Sequence, residues 1–173
     1  ATVFCLEVCG TDIFVGGQFT TPGNYLVKYN TISNTFSPIT GINGVCFSLL
    51  VLGADLYIGG GFSAPGRFFV KYHITSGSNS TFTQLGGNGL SSPGNGVTTM
   101  AIVGFDIYIA GQLTAPGYFM KYNILTDTFS QLGGNVLVGQ VNKLAIMGTT
   151  SVYLAGSFTA PVNYVVRYNI LTD

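Results

Sequence analysis

The stretch Asp12-Ile-Phe-Val-Gly-Gly-Gln-Phe-Thr-Thr-Pro22 returns three times: as Asp55-Leu-Tyr-Ile-Gly-Gly-Gly-Phe-Ser-Ala-Pro65, as Asp106-Ile-Tyr-Ile-Ala-Gly-Gln-Leu-Thr-Ala-Pro116 and as Ser151-Val-Tyr-Leu-Ala-Gly-Ser-Phe-Thr-Ala-Pro161. The starts lie 43, 51 and 45 residues apart, and self-similarity at a period of that size marks a repeat architecture. Each copy is followed by a basic-Tyr-polar triplet: Lys28-Tyr29-Asn30, Lys71-Tyr72-His73, Lys121-Tyr122-Asn123 and Arg167-Tyr168-Asn169. In the first three a Thr-Phe pair comes next, at Thr35-Phe36, Thr81-Phe82 and Thr128-Phe129. Before each Asp or Ser lies an apolar run ending in Gly: Phe4 to Gly10, Phe47 to Gly53, Met100 to Gly104 and Leu144 to Gly148.

Each repeat thus holds four short runs rich in Val, Ile, Tyr, Phe and Thr, set apart by Gly, Pro, Asn and Ser, which read as four strands and their turns. No stretch has helical periodicity. The first run of each repeat is apolar on nearly every residue, as for a strand covered on both faces, while the third and fourth alternate. Four-stranded units at this period predict an all-β fold, a β-propeller of four-stranded antiparallel blades. The blades fall at about 1–42, 43–94, 95–138 and 139–173, the last without its outermost strand. Three arrangements stay open: part of a longer propeller, two copies sharing a ring, or a small closed ring. The break inside the last motif favours the first.

The run from Ile13 through Gly16-Gly17 to Tyr29-Asn30 and Phe36 resembles the kelch repeat: a hydrophobic strand, a diglycine, a Tyr followed by Asp or Asn, then an aromatic. The versions with Gly-Gly-x-Phe-Thr and Lys-Tyr-Asn are most similar to repeats of secreted propeller proteins and of giant viruses of amoebae. Two features depart from the kelch pattern. Phe stands where kelch usually has Trp, and the diglycine becomes Ala110-Gly111 and Ala155-Gly156. Some kelch-type propellers are copper oxidases; that resemblance would require several His and Tyr ligands, and this chain has one His.

Composition narrows function by exclusion. Charged residues are 7% of the 173 residues, where about 25% is usual, and the net charge is zero. There is no electrostatic footprint for nucleic acid or anionic lipid. The longest apolar runs, such as Val45 to Leu52, are far short of the roughly 20 residues of a spanning helix. The chain begins at Ala1 with no leader-like segment and reads as mature, processed or a fragment.

The charges follow the repeat. Lys28, Lys71, Lys121 and Arg167 share one position and Asp12, Asp55 and Asp106 another. A catalytic site breaks repeat symmetry, because only one blade can aim its group at a given substrate atom. These charges are therefore expected to be structural, the Asp bonding backbone N–H groups of the turn after the first strand and the basic side chain lying over an aromatic. The alternative is a basic ring that binds an anion.

Of the residues that break the repeat, His73 stands where the other repeats have Asn, and reads as a turn or strand-edge substitution. Glu7 interrupts an apolar strand, either facing a central channel or ending the strand in solvent. Arg67, aligned with Asn24, Tyr118 and Asn163, reads as a surface charge. The connection Gly86-Gly-Asn-Gly-Leu-Ser-Ser-Pro-Gly-Asn-Gly96 lacks the Gly-Lys-Ser or Gly-Lys-Thr of a phosphate loop and reads as flexible. Cys5 and Cys9 are too far apart on one strand to bridge, and with Cys46 they read as buried thiols. The sequon Asn79-Ser80-Thr81 would matter only in a secretory pathway.

No catalytic, cofactor-binding or metal-binding residue and no cofactor is assigned. The expected function is a non-catalytic structural or protein-interaction module of a virion, fibre or surface layer, partnered by copies of itself or another protein. A glycan-binding propeller, or an incomplete part of a propeller enzyme, is the alternative. The expected location is a virion or an extracellular surface.

Overall fold

A computed structural model describes residues 1–74, 81–87, 89–92, 94–114, 117–132 and 137–172. The described residues form fifteen strands and no helix, in four antiparallel sheets whose strands pair in chain order. Sheet 1 holds β1 (Thr2–Cys9), β2 (Asp12–Gln18), β3 (Leu26–Asn30) and β4 (Thr35–Pro38). Sheet 2 holds β5 (Val45–Leu52), β6 (Asp55–Gly61), β7 (Phe69–His73) and β8 (Phe82–Gln84). Sheet 3 holds β9 (Gly96–Val103), β10 (Asp106–Gln112), β11 (Phe119–Asn123) and β12 (Thr128–Gln131). Sheet 4 has three strands, β13 (Val141–Met147), β14 (Ser151–Gly156) and β15 (Val165–Asn169). Each sheet is thus one repeat, the last with three strands.

The chain divides into two compact units, Ala1–Leu85 and Gly86–Asp173. In the first, Phe14 and Leu26 of sheet 1 pack against Leu49, Leu56, Ile58 and Val70 of sheet 2. In the second, Tyr108, Ala110 and Phe119 of sheet 3 pack against Val141, Val152 and Leu154 of sheet 4. Both joints use the same positions of the repeat: one face of the earlier sheet meets the opposite face of the later one. Burying side chains of this size stabilises each joint by roughly 1.5–3 kcal/mol per residue.

The diglycine explains itself at the joint between the first two strands of each sheet. A Cβ on Gly17, Gly60, Gly111 or Gly156 would lie 2.2, 2.1, 2.0 or 2.1 Å from a backbone oxygen of the neighbouring first strand. No side chain fits, so this glycine persists in all four repeats. The preceding position becomes Ala110 and Ala155, Ala110 being fully buried. Beside these glycines every first strand carries a β-bulge, at Val3/Cys5, Cys46/Ser48, Val97/Thr99 and Val141/Lys143. The residue left over in each bulge (Phe4, Phe47, Thr98, Asn142) is unpaired in the ladder, as bulges require.

Two sequence expectations need correction. The first strands are not covered on both faces throughout: Leu6 and Val8 of β1 and Met147 of β13 are exposed. An apolar run thus records only that every position suits a core; whether each face is covered depends on what packs there. The third-repeat turn is also one residue shorter than the others. Gly111 N–H donates to Tyr118 O as Gly17 donates to Tyr25 O, Gly60 to Phe68 O and Gly156 to Tyr164 O, so Tyr118 corresponds to these aromatics and not to Arg67.

Candidate functional site

Pairing of the second and third strands sets Asp12 opposite Asn30 and Phe14 opposite Lys28. The same register brings Asp55 to His73 and Asp106 to Asn123. One carboxylate oxygen accepts from Asn30 Nδ2 at 2.6 Å and the other meets Lys28 Nζ at 3.0 Å. The third repeat repeats this, with Asn123 at 2.6 Å and Lys121 at 3.3 Å from Asp106. In the second, His73 Nδ1 takes the amide's place at 2.8 Å from Asp55, and Lys71 lies at 3.2 Å. In the fourth, Arg167 Nε donates to Ser151 Oγ at 3.0 Å. Partial burial pushes the Asp12 carboxyl up, but hydrogen bonds from Asn30 and Lys28 and the ammonium charge outweigh it and hold it below its ordinary value.

The acids therefore tie second strand to third across the sheet; they do not bond backbone N–H groups of the preceding turn. That task belongs to the Asn after the Tyr, in the turn between third and fourth strands. Asn30 Oδ1 accepts from Ile32 N and Ser33 N at 3.1 and 2.9 Å, and Asn123 Oδ1 from Leu125 N and Thr126 N at 3.1 Å each. The same turns place Asn34 and Asp127 in the left-handed region, at φ 54° and 53°. Their side chains accept from Tyr29 and Tyr122 hydroxyls at 2.7 and 2.8 Å. Lys28, Lys71 and Lys121 pair with Asp12, Asp55 and Asp106, while the Tyr rings pair with the Phe of the fourth strand, centroids 4.8, 5.0 and 5.2 Å apart.

Glu7 Oε1 accepts from Val51 N at 3.0 Å, linking β1 to β5. In the second unit two threonines link β9 to β13. Thr98 Oγ1 donates to Val141 O at 2.5 Å, and Thr99 Oγ1 accepts from Leu144 N at 3.2 Å. Arg67 is exposed. None of the three cysteines is in a disulfide; Cys46 is fully buried, which pushes its thiol up, and Cys5 and Cys9 are half-buried.

Among the described residues of the connection from Gly86 to Gly96, several are packed or hydrogen-bonded. Leu90 is buried, Ser92 Oγ donates to Gln112 O and accepts from Gly94 N and Gly96 N at 3.0 Å each, and Ser91 O accepts from Thr114 N at 3.0 Å. Sequence reasoning missed this because Leu90 alone among small and polar residues gives no periodic signal. Asn88 and Pro93 of this connection, Asn79 and Ser80 of the sequon and Asp173 lie outside the described residues.

Among the described residues, no group of three or more His, Cys, Asp and Glu side chains converges to hold a metal ion, and no helix is long and apolar enough to cross a membrane. Two of the hollows are apolar. One of about 270 Å³ lies in the second unit between Phe119, Leu132, Leu154 and Val166; another of about 330 Å³ lies on sheet 1 beside Val3, Val15, Val27 and Phe36.

No family model and no curated protein matches this chain. Solved structures do resemble it in fold. The computationally designed protein Ika4 matches with a TM-score of 0.63 at 13% identity, over 98% of this chain and 92% of that one. An extracellular domain of a B. thetaiotaomicron protein described as a one-component system matches with a TM-score of 0.69 at 16% identity, over 99% of this chain but 21% of that one. The designed protein Ika8 matches with a TM-score of 0.57 at 14% identity, over 98% of this chain and 46% of that one. The chain thus spans nearly the length of one of these structures and less than half of the other two.

Proposed function

We propose that the four sheets are blades of a kelch-like β-propeller and that the chain is a non-catalytic structural or protein-interaction module at an extracellular or virion surface. One observation carries the reading. The repeat-locked acids are each engaged in the same cross-strand tie, in three repeats out of three, with the same geometry. The acid and the lysine are paired alike in successive repeats, with His73 standing in for the amide beside Asp55, and groups held alike in each repeat serve the repeat. Glu7, the acid most out of pattern, is likewise engaged by a backbone N–H.

What remains for function is surface, and that surface belongs to a chain of zero net charge, rich in glycine and poor in Lys and Glu, which are depleted from interface cores. The propeller reading draws on repeated four-stranded sheets joined face to face, and the surface location on the likeness to an extracellular domain. A glycan array and negative-stain electron microscopy on one folded preparation test it. The expected result is ring-shaped or ordered multimeric particles without reproducible glycan binding. Reproducible binding of one glycan class would replace the interaction role with a lectin role, and flanking repeats carrying clustered His, Asp or Glu would replace it with an enzyme.

A further inference from the structure

The two internal joints define what each face of a sheet is for. The later sheet always presents one set of positions, including Cys46, Leu49 and Val51 in sheet 2 and Val141, Leu144 and Ile146 in sheet 4. Sheet 1 carries the same set as Val3, Leu6 and Val8, and there it is open. Val3 is 54% and Leu6 61% exposed, against 0% for Cys46 and 7% for Leu49. The apolar hollow of about 330 Å³ beside Val3, Val15 and Phe36 lies on this face. The earlier sheet presents the complementary set, including Leu26 in sheet 1 and Phe119 in sheet 3, buried to 0% and 3%. Sheet 4 carries the corresponding residue as Val165, fixed by its pairing with Ala155, and it is 58% exposed, with Met147 and Tyr164 of the same face at 63% and 65%.

The chain thus displays, uncovered, both halves of the joint it uses twice internally. The surface that fits the open face of sheet 1 is the kind of surface sheet 4 leaves open. We infer that a second copy of this chain docks head to tail, the open face of sheet 4 in one copy covering the open face of sheet 1 in the other. The inference deepens the interaction-module reading and rests on it. Under the propeller reading two copies bring eight sheets, which is within the usual number of blades, and a head-to-tail contact closes at two copies if each copy supplies half of the ring. The occupant is a second copy because its complementary face already exists on the page as the repeat-equivalent of an observed joint.

Sedimentation velocity on the purified 173-residue chain tests this with two single variants, Leu6→Glu and Val165→Lys. Both positions are exposed in the isolated chain, so circular dichroism is expected to stay that of the wild type. The wild type should sediment at twice the chain mass of 18.2 kDa, and each variant alone as a monomer, its association weakened more than roughly a hundredfold by a charge buried in an apolar contact. Mixing the two variants should restore the dimer, since one contact is then wild type and the other opposes Glu to Lys. A folded wild type that stays monomeric, or variants that dimerise unchanged, would overturn the second-copy docking. Failure to restore the dimer on mixing would overturn its head-to-tail form. A folded monomer that binds no glycan would overturn the docking and leave the module reading standing, whereas reproducible glycan binding would overturn the module reading as well.

Discussion

The joint inside the first unit and the joint inside the second are built on one plan with different polar chemistry. Their apolar positions correspond residue by residue: Leu56 and Ile58 in one, Val152 and Leu154 in the other. Along their first strands they differ. The first unit uses a carboxylate that accepts from Val51 N and a thiol, Cys5 Sγ, 3.7 Å from Cys46 O. The second uses Thr98 and Thr99, one donating to Val141 O and one accepting from Leu144 N. First strands of adjoining sheets share no ladder, so a side chain has to reach the facing backbone at the joint. Which side chain does so is free to vary; the apolar contact is not.

The comparison is broken most severely by attacking what the joints share. Phe158→Ala empties a fully buried ring position of the second joint and is expected to cost about 4 kcal/mol in urea unfolding; a loss below about 1 kcal/mol would mean that this joint is not packed as described. Gly60→Ala sets a methyl 2.1 Å from Val45 O, and strain of this kind is expected to cost about 3 kcal/mol, whereas Gly59→Ala copies Ala110 and should cost distinctly less by the same measurement.

What the joints do not share should matter less. Thr98→Val keeps the shape but removes the donor to Val141 O and Ala110 O, for an expected loss of about 1–2 kcal/mol. Glu7→Gln keeps an acceptor for Val51 N and is expected to change stability by less than about 0.5 kcal/mol. Asp12→Ser copies the fourth repeat and is the mildest of the ties to break, at up to about 1 kcal/mol. Its cost has a pH signature. The folded state holds the Asp12 carboxyl below its ordinary 3.8, so its contribution is full above that value and lost as pH falls through the lowered one. Stability curves of Asp12→Ser and wild type should therefore differ at neutral pH and converge well below pH 3.8.

Strand positions and the missing last strand were legible because they depend on local pattern: a Tyr-Asn beside a Thr-Phe specifies its hairpin wherever it occurs. The partners of the charges were not. Asp12 and Asn30 lie eighteen residues apart and meet only once strand register is known, and the Asn carries two roles through the two ends of one amide. The partner of Glu7 was hidden for a related reason, since the bulge at Val3/Cys5 decides which residues of β1 face β5. The alignment of Arg67 with Tyr118 failed because a one-residue deletion in a turn is invisible until backbone hydrogen bonds fix the register. Uncovered faces are the least legible of all, because Leu6 and Leu49 are the same residue in the same context and differ only in what lies over them.

The claim on which the functional reading turns is that the repeated acids serve the fold. Equilibrium urea unfolding of the Asp12→Ser/Asp55→Ser/Asp106→Ser chain tests it, since residues kept for a binding site commonly cost stability while structural ties add to it. The account predicts that the triple variant is less stable than wild type by about 1–3 kcal/mol, the sum of three modest ties. A triple variant as stable as wild type, or more stable, would contradict it and return the three acids to the list of candidate binding residues.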